Sequence, residues 1–300
     1  MNIKIKKGDL VDIIAPASYN SANDIIYAEK TLSSWGLKAR TQIDFEAYHP
    51  FHSDEDDNRF LDLKRALYAE DSKIIWCIRG GYGSVRLLEK LSRLKKPKTQ
   101  KIVIGYSDIT SLHIFLNQKW GWSSIHGPMI SSFGKANFDK KAFTELKKIF
   151  FEKSFEQKFK LKALNDEALK NKSIEGVLCG GNLSVLQLSL GTNIELKTQG
   201  KILIIEDVGE RGYKIDKMLN HLKNSKALKG CRAIIFGDFV NGLESSGESF
   251  VDFALTRFAL EIKIPVYLNL EFGHGLKNRP LLLNSEKKLK IVRNELVIKY

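Results

Sequence analysis

Short apolar runs alternate with helical patterns through the first 130 residues, and that rhythm restricts the chain to few architectures. LVDIIA (10–15), LKARTQI (37–43), IIWCI (74–78) and IVI (102–104) read as strands, while helical patterns begin near Ala22, Glu55, Ser84 and Asp108. Parallel strands need a crossover, and a helical crossover covers the sheet face it packs on, so the pattern calls for a mostly parallel sheet with helices on both faces. Sites in such sheets lie at the carboxyl ends of the strands. The rhythm changes between Phe138 and Lys172, where the Lys-rich KKAFTELKKIFFEK precedes a polar stretch without glycine or proline. It resumes with IEGVL (174–178), KILII (201–205), AIIF (233–236) and IPVYLNL (264–270), with helices near 182–190, 213–223 and 248–261. The alternating tail KKLKIVRNELVIKY reads as a hairpin turning at Arg293-Asn294. The expectation is an α/β protein with domains 1–137 and 173–300 and a linker at 138–172.

The formal charge of +13 raises the question of a nucleic-acid partner. The lysines, however, are spread through RLKKPKTQK (93–101), the 140–162 segment and SEKKLKIVR (285–293), mostly alternating with apolar residues as solvated faces do. No recognition motif accompanies them, so neither nucleic acid nor membrane is expected as a partner. Leu10–Ala15 is too short for a signal core, and a cytoplasmic location is expected. Cys77, Cys179 and Cys231 are widely separated in apolar stretches, which predicts reduced buried thiols.

In CIRGGYGSVRLLEK (77–90), Gly80, Gly81 and Gly83 fall between a strand and a helix. The loop lacks the Gly-Lys-Ser/Thr ending of a phosphate-binding loop, and Arg86 stands where the dinucleotide fingerprint needs its last glycine. Its N–H groups suit another anion, such as the oxyanion of an acyl-transfer intermediate; a ligand-free tight turn is the plain alternative. A second glycine pair, Gly180-Gly181, precedes Asn182, itself a competent helix N-cap.

IVIGYSDITSLH (102–113) runs from strand to helix through Ser107. That resembles a nucleophile elbow, although Ile109 breaks the G-x-S-x-G form. Locally an ordinary N-cap serine fits better. A nucleophile needs a base and the base an orienting acid. His113 lies on an apolar helix face, His221 suits a helix C-terminus, and His126 follows a short strand, either near a site or as a turn residue before Gly127-Pro128. His49 and His52 with Asp54, Asp56 and Asp57 look first like the approach to a helix rather than a metal site. His274, flanked by Gly273 and Gly275 after an apolar strand, projects freely, and Glu206 ends the strand KILII where a buried carboxylate needs a partner. Cys179 is a rival nucleophile but reads as an inert buried thiol.

With these residues assembled, the chain resembles the LD-carboxypeptidases, a serine peptidase family that includes the microcin C self-immunity proteins. The similarity is carried in order by KKGDLVDIIAPAS, DDNRFLDLKRAL, RGGYGSVRLL, IGYSDITSLH, HGPM, GVLCGGNLSVLQLSLGT, IIEDVGERGYKIDKML, GDF and FGH. The resemblance implies Ser107 as nucleophile, His274 as general base, Glu206 as its orienting carboxylate, and the N–H groups of Gly81 and Asp108 as the oxyanion hole. It implies an N-terminal Rossmann-like domain, a C-terminal swivelling β/β/α-type domain and a homodimer. The implied substrate is a murein tetrapeptide that loses its terminal D-alanine in cytoplasmic cell-wall recycling, with Gly80, Gly83 and Asn182 as candidates for its pocket. No metal or cofactor is implied. GLKNRPLLLNSEKK after His274 departs from the Leu-Pro-Leu-Gly often found there, and no aromatic insertion of the microcin-directed kind stands between Asn193 and Lys201. A peptidyl-nucleotide substrate is the alternative within the family. A non-catalytic binder of anionic cell-wall fragments or nucleic acid is the alternative outside it.

Overall fold

Strands without polar alternation are buried on both faces, and the central strands of the amino-terminal half follow this rule. The computed structural model describes residues 3–18, 21–44, 46, 49–134, 138–285 and 289–300. It divides into two units, Met1–Lys153 and Ser154–Tyr300.

The first unit contains β1 (Leu10–Ile14), α1 (Ala22–Ser34), β2 (Lys38–Thr41), α2 (Asp56–Tyr68), β3 (Ser72–Cys77), α3 (Leu88–Ser92), β4 (Ile102–Gly105), α4 (Thr110–Phe115), β5 (Ser124–His126) and α5 (Lys140–Phe151). Its strands pair in parallel in the order β2-β1-β3-β4-β5, with Ile13 opposite Trp76 and Gly105 opposite His126. Reversals of strand order are where α/β sheets open a crevice, and β1 pairs with both β2 and β3 here. Trp35, Trp76, Phe133, Phe143 and Phe150 pack as tilted and edge-to-face rings, and Trp76 Nε1 donates to the Pro128 carbonyl at 2.9 Å.

The second unit contains β6 (Glu156–Lys160), β7 (Lys162–Ala163), α6 (Asp166–Lys170), β8 (Ser173–Asn182), α7 (Leu183–Ser189), β9 (Lys201–Val208), α8 (Gly212–Asn224), β10 (Ala233–Val240), α9 (Val251–Leu260), β11 (Val266–Leu268), β12 (Leu281–Leu283), β13 (Leu289–Val292) and β14 (Glu295–Lys299). Strands β12, β8, β9, β10 and β11 lie side by side in parallel, and β7 closes the β11 edge antiparallel. The long β8 serves two sheets. Its first residues pair antiparallel with β13, which continues through β14 to β6, and the rest pair with β9. The tail forms the expected hairpin, with Arg293 and Asn294 at φ 47° and 63° in a two-residue turn of the type such hairpins favour. Lys287 and Lys288, the first residues assigned to it from the sequence, lie outside the described residues.

The segment 138–172, expected as a linker, is built into both units instead. Asp139 caps α5 by accepting from the N–H groups of Lys141 and Ala142, and α5 buries Ala142, Leu146, Ile149 and Phe150. Beyond the unit boundary, Gln157 and Phe159 alternate with exposed residues and turn one face of β6 inward. The Arg279 guanidinium covers the Phe159 ring at 3.9 Å. A polar stretch thus hides a strand of period two that contributes few side chains to the core.

Candidate active site

In the first unit, Ser107 interrupts the passage from β4 to α4. It takes φ 59°, the left-handed region that an L-residue enters at a cost, and the chain then makes a 3₁₀ turn over Ser107–Ile109 before α4 begins. A serine merely capping a helix has extended backbone, so Ser107 is not the simple N-cap its local sequence suggests. Behind it, His113 Nε2 donates to the Gly105 carbonyl at 2.9 Å. Complete burial lowers the His113 pKa to about 4, which keeps the ring neutral and occupied in holding the turn. His126, opposite Gly105 in the register, is also buried, with Tyr106 edge-on at 5.9 Å.

The glycine loop after β3 comes up beside this serine. A side chain at Gly80 would sit 3.2 Å from Ser107 Oγ, so glycine leaves the hydroxyl uncovered on that side. Gly81 takes φ +99°, and a Cβ there would meet Ser18 Oγ at 2.1 Å. Ser18 ties the loop down: its N–H donates to the Gly80 carbonyl at 3.0 Å and its hydroxyl accepts from the Tyr82 N–H at 3.1 Å. Among the described residues, the Gly81 N–H donates to no protein acceptor. Asp108, next to the serine, fastens the far end of the loop. Its carboxylate accepts from the Ser84 N–H at 2.8 Å, while its carbonyl accepts from Ser84 Oγ at 2.6 Å. Burial nonetheless pushes the Asp108 carboxyl up, against the pull of these donors.

Gly83 does not face the serine. A Cβ there would meet His52 Nδ1 and Arg59 Nη1 at 2.7 and 2.8 Å. Arg59 is buried and donates to the carbonyls of Pro16 and Asp54 and to the Asp56 carboxylate, linking the loops around residues 16, 54 and 83. Sequence reasoning missed this residue, though a signal existed: Arg59 shares the inward face of α2 with Leu63, Ala66 and Leu67. His52 donates from Nδ1 to the Tyr82 carbonyl at 3.0 Å, and His49 Nδ1 accepts from the N–H groups of Phe51 and His52. These bonds tie both rings into the loop through Nδ1.

In the second unit, Glu206 and His274 come together. Glu206 lies near the carboxyl end of β9 with no solvent exposure, and its Oε2 meets His274 Nδ1 at 2.6 Å. Burial raises the Glu206 pKa, opposed first by the His274 hydrogen bond. When Glu206 is ionised, Nδ1 must carry the proton, which makes Nε2 the basic nitrogen of the ring. Gly273 allows the pair to form: it takes φ +118°, and a Cβ there would come within 2.9 Å of Glu206 Cβ.

The neighbouring Asp207 points elsewhere, as alternation along a strand requires. It accepts from Asn182 Nδ2 at 3.0 Å and from the N–H and hydroxyl of Ser184 at 2.9 and 2.7 Å. Asn182 caps α7 through the Val185 N–H at 3.2 Å and so joins β8, α7 and β9, and its side chain also hydrogen-bonds Glu206. His221 pairs with Gln187 at 2.9 Å. Cys179 is buried and its thiol is pushed up to about 12, leaving almost no thiolate at neutral pH. Burial raises Cys77 as well, and Cys231 to about 11.

Residues 11–127 match the family model of the LD-carboxypeptidase N-terminal domain, and residues 175–289 match that of the LD-carboxypeptidase C-terminal domain. The chain is 33% identical over 273 residues to the probable murein peptide carboxypeptidase of Bacillus subtilis, covering 90% of this chain and 85% of that protein. It is 30% identical over 280 residues to the murein tetrapeptide carboxypeptidase of Pseudomonas aeruginosa, covering 90% and 89%. Among solved structures, the muramoyltetrapeptide carboxypeptidase of Oxalobacter formigenes superposes with a TM-score of 0.84 at 28% identity, covering 97% of this chain and 98% of that one.

Proposed function

This chain belongs to the LD-carboxypeptidase family of serine peptidases, and on that premise we propose that it releases the C-terminal D-alanine of a murein tetrapeptide, with Ser107, His274 and Glu206 as its triad. Ser107 Oγ attacks the scissile carbonyl carbon while its proton passes to His274 Nε2. Glu206 holds the imidazole in the tautomer that can accept this proton and stabilises the imidazolium that results. The N–H groups of Gly81 and Asp108 receive the oxyanion of the tetrahedral intermediate. Collapse breaks the C–N bond, and the leaving D-alanine amine takes the proton back from His274. Water, deprotonated by the same imidazole, then attacks the acyl-enzyme and frees the shortened peptide and Ser107.

The observation that carries this reading is the 2.6 Å bond from His274 Nδ1 to a carboxylate wholly shielded from solvent. Shielding a carboxylate is costly unless it has a partner, and its partner here is the His274 imidazole. The left-handed φ of Ser107 and the unused Gly81 N–H support the other half of the proposal. Gly80 is the pocket candidate nearest the hydroxyl; Gly83 and Asn182 act through the loops and strands they hold.

Incubation of purified murein tetrapeptide followed by mass spectrometry tests the reaction and the bond together. The expected product has lost one alanine, and Ser107→Ala yields none. Release at the wild-type rate by that variant overturns the proposal. Faster turnover of a peptidyl-nucleotide conjugate than of the tetrapeptide moves the assignment to the microcin-type reaction. The proposal includes a cytoplasmic location and a homodimer, which cell fractionation and sedimentation analysis test.

A further inference from the structure

The turn that carries His274 is held on both sides by one residue of the neighbouring strand. Asp238, half-buried on β10, donates its peptide N–H to the Phe272 carbonyl at 3.0 Å. Its carboxylate receives the Gly275 N–H, and its Oδ2 fills the space a Gly275 side chain would need, 2.1 Å from where that Cβ would stand. Within the loop, Asn278 Oδ1 accepts from the Gly273 N–H at 3.2 Å, and the Arg279 N–H donates to the Glu271 carbonyl at 3.0 Å. The Glu206 bond holds the imidazole; Asp238 holds the backbone on either side of it, at residues 272 and 275.

We propose that Asp238 is a positioning residue for His274, clasping residues 272 and 275 so that the imidazole meets Glu206 without first having to order its turn. The inference rests on the base role proposed for His274. A base displaced by about 1 Å loses on the order of 100-fold in rate, so the clasp belongs to turnover rather than to substrate affinity.

The test is D-alanine release from murein tetrapeptide by wild type, Asp238→Ala, Asp238→Asn and His274→Ala. Asp238→Ala is expected to lower kcat about 100-fold with KM changed less than about threefold. Asp238→Asn, which keeps an acceptor for the Gly275 N–H, recovers roughly tenfold of that loss. Wild-type kcat in Asp238→Ala, with His274→Ala inactive, overturns the inference alone. An active His274→Ala overturns the base assignment itself. If Asp238→Ala does not fold, Asp238→Asn decides: a kcat lowered about tenfold with KM unchanged supports the clasp, and a wild-type kcat refutes it.

Discussion

Replacing Ser107 by glycine and by alanine separates its backbone role from its chemistry. Both substitutions remove Oγ and both are expected to abolish turnover, yet they differ in what they do to a residue held at φ 59°. An L-side chain in the left-handed region costs about 1–2 kcal/mol, which alanine retains and glycine relieves. Glycine returns part of this through its larger freedom in the unfolded chain, roughly 0.5–1 kcal/mol. The difference leaves Ser107→Gly more stable than Ser107→Ala by about 0.5–1 kcal/mol. Urea unfolding followed by tryptophan fluorescence reads this directly, because Trp35, Trp76, Trp120 and Trp122 all belong to the unit that contains residue 107. With a urea slope of about 2 kcal/mol/M, the Ser107→Gly midpoint should lie roughly 0.3–0.5 M above that of Ser107→Ala. Equal midpoints, or a higher one for alanine, would refute the claim that the elbow holds its serine in strain.

Further outcomes follow from the same geometry. Glu206→Gln should lower kcat by about 10³–10⁴, since an amide can donate to Nδ1 and select the wrong tautomer; because burial penalises the ionised Glu206, the variant should unfold at no lower temperature than wild type. Gly273→Ala places a Cβ 3.0 Å from Glu206 Oε2 at φ +118° and should reduce kcat about 100-fold, with His274 displaced in a crystal structure of the variant. The folded His113 pKa of about 4 lies below the ordinary 6.5, so its contribution is complete above pH 6.5 and disappears as pH falls toward 4, a loss of about 3 kcal/mol. His113→Gln should flatten that part of the stability profile in equilibrium unfolding, and an unchanged slope would assign it to other groups.

The parallel strands were legible because their centres are apolar: IIWCI (74–78) and KILII (201–205) announce strands buried on both faces, and β3 spans Ser72–Cys77 while β9 runs on past its apolar run to Val208, through Glu206 and Asp207. The hairpin tail was legible through Arg293-Asn294. β6 was not, since EQKFK buries only Gln157 and Phe159 and resembles a charged connection until β14 and the Arg279 guanidinium lie against it. Arg59 was overlooked for a related reason: a buried guanidinium is intelligible only once the carbonyls of Pro16 and Asp54, distant or near in sequence, are seen to converge on it.

What the sequence determined by itself was local: where strands stop and helices start, and hence that Ser107, Glu206 and His274 each stand at the end of an apolar run where a polar side chain can leave the core. At Ser107 it even pointed the wrong way, toward an ordinary cap, because residue preferences do not encode the sign of φ for a non-glycine residue. Tertiary structure decided the rest. The left-handed serine, the glycine loop drawn beside it by Ser18 and Asp108, and the 2.6 Å meeting of residues 206 and 274 all depend on contacts between segments far apart in the chain. Such contacts form only when burial of the surrounding strands has supplied the free energy to hold strained backbone and an enclosed carboxylate in place.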